Sequence, residues 1–305
     1  MRKCLFIVAA LMLLICTGAN AEGRLSIVCT DFPCYDFARQ AAGDGAEVVL
    51  LLKPGTEAHA YDPTPSDILA ISGADLFVYI GGESDAWVES ILGSFDDSER
   101  PRTLRMMDVV GDLLEEDDDA GHHHEGEDGP EYDEHIWTSP VNAAKMVRAV
   151  GLALSEIDSE HSEAFVQAAE DYARRIEQLD AQIRSIVQSA DRHTLIFADR
   201  FPFAYFVREY GLDYLAAFPS CTADTEPMPQ TILSLIQAVE SEGIPVVYTI
   251  ELSTQNVART VSEETGAQIR TMHSMQTVMQ EEFDAGETYE SLLRKNIDAL
   301  REGLL

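Results

Sequence analysis

The chain has 305 residues and a formal net charge of −33, with 54 acidic residues against 21 basic ones. A negative field of this size repels phosphate backbones and anionic lipid surfaces, which argues against nucleic acid and anionic membranes as partners. Because 46% of the residues are hydrophobic, the chain can build one large domain or two ordinary ones with real cores.

Residues 1–21 have the features of a secretory signal peptide. Two basic residues precede an apolar run of about eleven residues, and the A-x-A motif Ala19-Asn20-Ala21 follows. The run is too short to span a bilayer, which needs about twenty apolar residues. We therefore predict an exported protein without a membrane span, cleaved after Ala21. Lipid attachment at Cys16 is the alternative, and the bulky Ile15 in front of that cysteine disfavours it.

The first half of the chain alternates between strand and helix patterns. Short apolar runs rich in branched residues predict buried strands, and helical patterns lie between them. The strands are predicted at 25–29, 48–52 and 76–80, and the helices at 35–42, 66–72 and 83–92. This alternation predicts a parallel sheet with helices on both faces.

Residues 115–134 form an acidic segment with almost no apolar side chains. Such a segment cannot bury enough surface to offset the entropy of ordering, so we predict a mobile surface loop. It contains the run His122-His123-His124. Histidine-rich tracts commonly bind borderline cations, and this one predicts weak metal sites.

The second half repeats the pattern after one long helix. Residues 161–190 keep an amphipathic helical period without Gly or Pro, which predicts a stiff helix about 45 Å long. Strands are then predicted at 194–198, 214–217 and 245–250, and helices at 203–210, 229–242 and 253–265. We predict an α/β fold of two lobes, each a mostly parallel sheet flanked by helices, joined by that helix. The N-terminal lobe takes residues 22–140, the connecting segment 141–190 and the C-terminal lobe 191–305.

Two histidines stand where a ligand site is expected. His59 lies in a Gly/Pro-rich loop directly after a predicted strand, and ligand sites in α/β sheets gather at the carboxyl ends of strands. His135 follows the acidic segment, beside apolar Ile136 and Trp137 and next to carboxylates that can orient its ring. Taken alone, His59 is better explained as an ordinary exposed loop histidine, and His135 alone is weak evidence for a metal site.

An ordered series of motifs makes the chain resemble the metal-specific solute-binding proteins of zinc and manganese ABC importers. The resemblance runs from about residue 25 to the C-terminus and is closest to the zinc-uptake branch. Its motifs include Phe32-Pro33-x-Tyr35-Asp36-Phe37, the run from His59 to Asp67, Asp133-x-His135-Ile136-Trp137, Tyr205-Phe206, Glu226-Pro227 and Asp284-Ala285-Gly286.

The resemblance implies a metal in the cleft between two lobes, with His59 and His135 as its first two ligands. The family's third ligand aligns with Arg200, which has no lone pair and cannot coordinate a cation. The fourth aligns with His273, another good ligand. We therefore predict that Asp199, beside Arg200, completes the set.

Glu251 or a water molecule is the alternative to Asp199 as the last ligand. Arg200 is expected to pair with an acidic neighbour, Glu251 or Glu226. A shell rich in nitrogen favours Zn²⁺ over Mn²⁺, which prefers oxygen. The implied partner is the membrane permease of an ABC importer, and we expect a monomer.

Two other functional classes compete with transport binding. Three histidines with an open position resemble a catalytic zinc site, but the chain has no H-E-x-x-H and no nucleophile elbow. A metal-independent adhesin is the other alternative. We predict a binding protein and not an enzyme. Of the cysteines beyond residue 21, Cys29 is expected to be a buried hydrophobe, whereas Cys34 and Cys221 form one disulfide or stay free.

Overall fold

A computed structural model of the chain describes residues 24–98, 100–115, 132–218 and 227–305. The predicted signal peptide with Cys16, the histidines His122–His124, Cys221 and Glu226 lie outside these residues. In the described part of the chain, the strands form two four-stranded sheets in which every neighbouring pair is parallel.

The first sheet has the order β2-β1-β3-β4. Its strands are β1 (Leu25–Cys29), β2 (Ala46–Leu50), β3 (Leu76–Tyr79) and β4 (Arg102–Arg105). Helices α1 (Phe32–Ala42), α2 (Pro65–Ser72), α3 (Trp87–Ser94) and α4 (Met106–Val110) follow these strands in turn. All four residues of β3 are buried, because this strand lies inside the sheet and is covered on both faces.

Two long helices connect the sheets. They are α5 (Pro140–Ile157) and α6 (Ser162–Ser189), and α6 has 28 residues, which makes it about 42 Å long. The two helices pack closely because Gly151 of α5 has no side chain, and a Cβ there would lie 2.4 Å from the Cβ of Ala169 in α6. Helix α6 also packs against α1, so the connection is stiffened by its neighbours as well as by its length.

The second sheet repeats the topology of the first, with the order β6-β5-β7-β8. Its strands are β5 (Thr194–Phe197), β6 (Asp213–Ala216), β7 (Val246–Thr249) and β8 (Gln268–Thr271). Its helices are α7 (Ala204–Tyr210), α8 (Pro229–Glu242), α9 (Asn256–Thr265), α10 (Gln280–Asp284) and α11 (Tyr289–Leu304). The predicted fold, two parallel sheets flanked by helices and joined by a long helix, is confirmed.

Three details of the strand prediction were wrong, all at sheet edges. The strand predicted at 48–52 is β2, which begins at Ala46 and alternates between exposed residues and buried or half-buried ones instead of being buried on both faces. Strands β4 and β8 were not predicted, because they are short, polar edge strands without an apolar run.

Cys34 is a buried free thiol, as is Cys29, so Cys34 takes the unbonded alternative. A search of the described helices finds none with the length and apolar character needed to cross a membrane.

Candidate metal centre

The candidate site lies where the carboxyl ends of the two sheets meet. In the first lobe, His59 sits in a short 3₁₀ turn, Ala58–Ala60, after β2, and Ser84 sits in a similar turn after β3. In the second lobe, three residues each lie two positions beyond the end of a parallel strand: Asp199 after β5, Glu251 after β7 and His273 after β8. The ends of parallel strands therefore deliver every predicted ligand except His135, which precedes the 3₁₀ turn Ile136–Thr138.

Two of the predicted ligands come together with a third residue that was not predicted. His59, Glu134 and His135 each offer a ligand atom, and these three atoms lie within 4.8 Å of one another. The ring centroids of His59 and His135 are 5.9 Å apart. Glu134 is only 3% exposed, so its assignment to a mobile surface loop over 115–134 was wrong.

Hydrogen bonds fix which nitrogen of His59 faces a metal. The Ser84 hydroxyl donates its proton to Oε1 of Glu134, since an ionised carboxylate only accepts. The same hydroxyl lies 3.0 Å from Nδ1 of His59, which must therefore carry the proton and donate it. This tautomer places the lone pair of His59 on Nε2, as a metal ligand requires.

His135 is oriented by an independent but equivalent contact. Its Nδ1 lies 2.9 Å from Oδ1 of Asp133, so the carboxylate accepts the Nδ1 proton and Nε2 carries the lone pair. The ring of Trp137 packs beside it, with centroids 5.4 Å apart. Nε1 of Trp137 donates to the carbonyl of Ser274 at 2.8 Å. This hydrogen bond joins the segment that carries His135 to the segment that carries His273. Asp133 thus does what the sequence predicted for a flanking carboxylate.

Glu134 is held by several donors beneath the two histidines. Its Oε1 accepts from Nε2 of Gln276 at 3.1 Å, and its Oε2 accepts from the backbone N–H of Ser84 at 2.8 Å. Gly82 makes room for it, because a Cβ at that position would lie 2.2 Å from the Cβ of Glu134. The Glu134 carboxylate is therefore held in a fixed position beside the two histidines, where it also aligns Ser84.

Two further acids lie behind Glu134, around a small cavity with room for a water molecule. Burial and repulsion from Asp85 and Glu134 together raise the pKa of Asp31 to about 8, although hydrogen bonds from Cys34 oppose the rise. Burial also raises the pKa of Asp85 to about 6, despite hydrogen bonds from Gly81 and Ile80. Asp31 is therefore largely protonated at pH 7, which limits the repulsion among three neighbouring acids.

His273 stands apart from the His59–Glu134–His135 group. Asn296 fixes its backbone from both sides, accepting from its N–H at 2.7 Å and donating to its carbonyl at 2.8 Å. Nε2 of its ring lies 3.9 Å from Oε1 of Glu282. Nearby Glu251 accepts from the backbone N–H of Ser274 at 2.7 Å. Burial raises the pKa of Glu251, and the hydrogen bonds from Ser274 and the neighbouring His273 oppose that rise.

Asp199 and Arg200 follow β5 with well-defined partners. Asp199 is buried, and its two oxygens accept from the backbone N–H groups of Arg200 at 2.9 Å and Ile250 at 3.3 Å. Nη1 of Arg200 lies 2.5 Å from Oε2 of Glu57. Arg200 pairs with an acid as predicted, and this acid, Glu57, belongs to the other lobe and was not proposed from the sequence. Of the two acids that were proposed, Glu226 lies outside the described residues.

Ser84 was missed by the sequence analysis, although a signal for it exists. It follows a fully buried strand and the pair Gly81-Gly82, and Gly81 has a φ of 97°, in the region that favours glycine. A double glycine at the carboxyl end of a buried strand indicates a tight loop that approaches a ligand site.

We expect Ser84→Ala to weaken zinc binding by roughly 10- to 100-fold, the range for loss of a group that supports a ligand. The substitution removes the acceptor of the His59 Nδ1 proton and one of the donors to Glu134. Competition with a chelator of known affinity measures the effect. Ser94→Ala is the matched control, because Ser94 is an exposed serine of α3 that bonds only the carbonyl of Ile91 among the contacts described. Equal affinities for both variants would contradict the role of Ser84.

Comparisons with known proteins identify the family of this chain. The family model ZnuA, described as zinc-uptake complex component A, periplasmic, matches residues 27–303. The zinc-binding lipoprotein AdcA of Streptococcus pneumoniae is 31% identical over 299 residues, covering 96% of this chain and 58% of AdcA. The high-affinity zinc uptake system protein ZnuA of Bacillus subtilis is 29% identical over 313 residues, covering 99% of this chain and 97% of that protein.

Two solved structures are similar to this chain in both fold and sequence. The Zn(II)-bound ZnuA-like domain of S. pneumoniae AdcA has a TM-score of 0.75 and 31% identity, covering 92% of this chain and 99% of the domain. The metal-dependent lipoprotein YcdH of B. subtilis has a TM-score of 0.78 and 28% identity, covering 92% of this chain and 100% of that one. The chain spans only 58% of the length of S. pneumoniae AdcA. The family model nevertheless matches most of the chain, and the chain belongs to the ZnuA family.

Proposed function

We propose that this chain is the extracytoplasmic component of an ABC importer that captures Zn²⁺ and delivers it to the membrane permease. The observation that carries the proposal is the pair His59 and His135, whose Nδ1 atoms are both engaged so that both Nε2 atoms can coordinate one ion. The relatives named as zinc-binding and zinc-uptake proteins support the same metal. Export, with residues 1–21 as the signal peptide, is part of this proposal.

The proposed ligands are His59, His135 and His273, with a carboxylate or water in the fourth position. Three neutral imidazoles around one ion suit zinc, which takes nitrogen ligands in a tetrahedral site, better than manganese. His273 lies outside the group formed by His59 and His135, so we propose that it leaves its contact with Glu282 and joins the other two histidines when the ion binds. The cargo is released to the permease, so a ligand that moves is consistent with reversible capture.

Zinc binding at this site is tested by native mass spectrometry of the purified protein after loading and removal of loosely held metal. One tight zinc per chain is expected. Deleting the gene in its source organism is expected to lower zinc uptake from zinc-poor medium. A protein that retains no metal, or a deletion that leaves zinc uptake unchanged, would contradict the proposal.

The fourth ligand is proposed to be Asp199, with Glu251 as the alternative. Asp199 uses its two oxygens in contacts to backbone N–H groups at the ends of two strands, which holds the carboxylate rigidly beside the cleft. Glu251 is held by both the N–H and the hydroxyl of Ser274. Each carboxylate retains lone pairs for a metal, since one carboxylate has about four acceptor sites.

Asp199→Ala is expected to weaken zinc binding by one to two orders of magnitude. Competition titrations measure the affinity, and the absorption spectrum of the Co²⁺-loaded protein reports a change in the ligand set. Asp191→Ala is the matched control, because Asp191 is exposed at the opposite end of β5. If Asp199→Ala binds zinc like the wild type while Glu251→Ala does not, Glu251 is the ligand. If neither substitution changes the zinc affinity, water fills the fourth position.

A further inference from the structure

An ion pair crosses from one lobe to the other at the edge of the metal site. It joins Nη1 of Arg200, after β5 of the second sheet, to Oε2 of Glu57, after β2 of the first, at 2.5 Å. Glu57 lies two residues before His59 and directly precedes its 3₁₀ turn. The Arg200 side chain is 17% exposed and that of Glu57 is 36% exposed, so water screens the pair only in part.

Both ends of this ion pair are themselves anchored. The backbone N–H of Gly55, in the same loop as Glu57, donates to the carbonyl of Val278 at 2.7 Å. On the other side, the buried carboxylate of Asp199 accepts from the backbone N–H of Arg200 at 2.9 Å. The loop that carries His59 is thus attached to the second half of the chain at two points, Gly55 and Glu57.

We propose that the Glu57–Arg200 ion pair is a positioning device that holds the turn bearing His59 in place for zinc. Arg200 cannot coordinate the metal, but through Glu57 it acts on a residue that can. The inference rests on the proposed function, because it assumes that His59 binds zinc. Arg200, which aligns with a ligand position of the family, then supports the metal site without coordinating the metal.

A purely electrostatic effect of the two side chains predicts different changes in zinc affinity from a positioning effect. If the two side chains acted only through their fields, removing the positive Arg200 would strengthen cation binding and removing the negative Glu57 would weaken it. If the ion pair positions His59, either substitution loosens the same turn, so both weaken binding. The sign of the Arg200 effect therefore separates the two explanations.

The test uses the full-length protein with Glu57→Gln, Arg200→Gln, the double variant and the reversed pair Glu57→Arg/Arg200→Glu. We expect each single variant to weaken zinc affinity roughly 3- to 10-fold and to speed zinc dissociation. The double variant is expected to bind zinc no more weakly than the single variant with the lower affinity, because both single substitutions remove the same contact. The reversed pair is expected to recover most of the affinity.

A matched control is Arg102→Gln, which removes the same charge from an exposed ion pair between Arg102 of β4 and Glu156 of α5. It is expected to leave the zinc affinity unchanged. Tighter binding by Arg200→Gln, no change in either single variant, or additive losses in the double variant would each overturn the inference while leaving zinc binding intact. A wild-type protein that takes up no zinc would overturn the proposed function, and this inference with it.

Discussion

Replacing His135 by alanine is expected to lower zinc affinity by more than about 100-fold, beyond the range for loss of a supporting group. His135 is 2% exposed, and Asp133 fixes its tautomer so that Nε2 carries the lone pair. The substitution removes this preorganised nitrogen and leaves the remaining groups in a site built for one more ligand. Chelator competition measures the affinity, and native mass spectrometry counts the tightly held ions.

The control for this variant is His193→Ala. His193 is an exposed histidine just before β5, at the opposite end of that strand from Asp199. Its loss removes an imidazole without touching the cleft, so the affinity of the tight site is expected to stay at the wild-type value. A His135→Ala protein that binds zinc within a few-fold of the wild type would contradict the site.

Sequence patterns predicted the interior of this fold better than its edges. The apolar runs of β1, β3, β5 and β7 identify strands that have a neighbour on both sides, because such strands are covered on both faces. The edge strands β4 and β8 carry polar residues, since one side of each lacks a partner strand.

The two histidines that the structure brings together could be predicted from the sequence, but Glu134 and the residues that hold it could not. His59 and His135 are recognisable because of their motifs and their places in the chain. Glu134 looked like one more acid in an acidic segment, and only the fold shows that Ser84 and Gln276 bind it from positions 50 and 142 residues away. The partner of Arg200 is likewise 143 residues distant in sequence, and no local pattern connects the two.

One buried carboxylate links the connecting helix to both lobes. Oδ2 of Asp36, in α1, accepts from the hydroxyl of Tyr172 in α6 at 2.5 Å and from the backbone N–H of Tyr289 in α11 at 2.9 Å. The Tyr172 hydroxyl in turn accepts from the backbone N–H of Glu290 at 3.1 Å. Burial raises the pKa of Asp36, and the hydrogen bonds from Tyr172, Tyr289 and Gln40 oppose that rise. Three helices from different parts of the chain therefore depend on a single side chain.

Asp36→Ala is expected to lower the free energy of unfolding by about 3–5 kcal/mol, because the Tyr172 hydroxyl and the Tyr289 N–H both lose their buried acceptor. Thermal unfolding of the metal-free protein measures the loss, which corresponds to a fall in Tm of roughly 5–10 °C. Zinc must be removed first, since a bound ion adds its own stability. Asp36→Asn keeps an acceptor oxygen and the side-chain volume, so its loss is expected to be about half as large. Tyr172→Phe removes one donor alone and is expected to cost about 1–2 kcal/mol. An Asp36→Ala protein that melts with the wild type would show that the three helices are held by packing and that the carboxylate contributes nothing measurable.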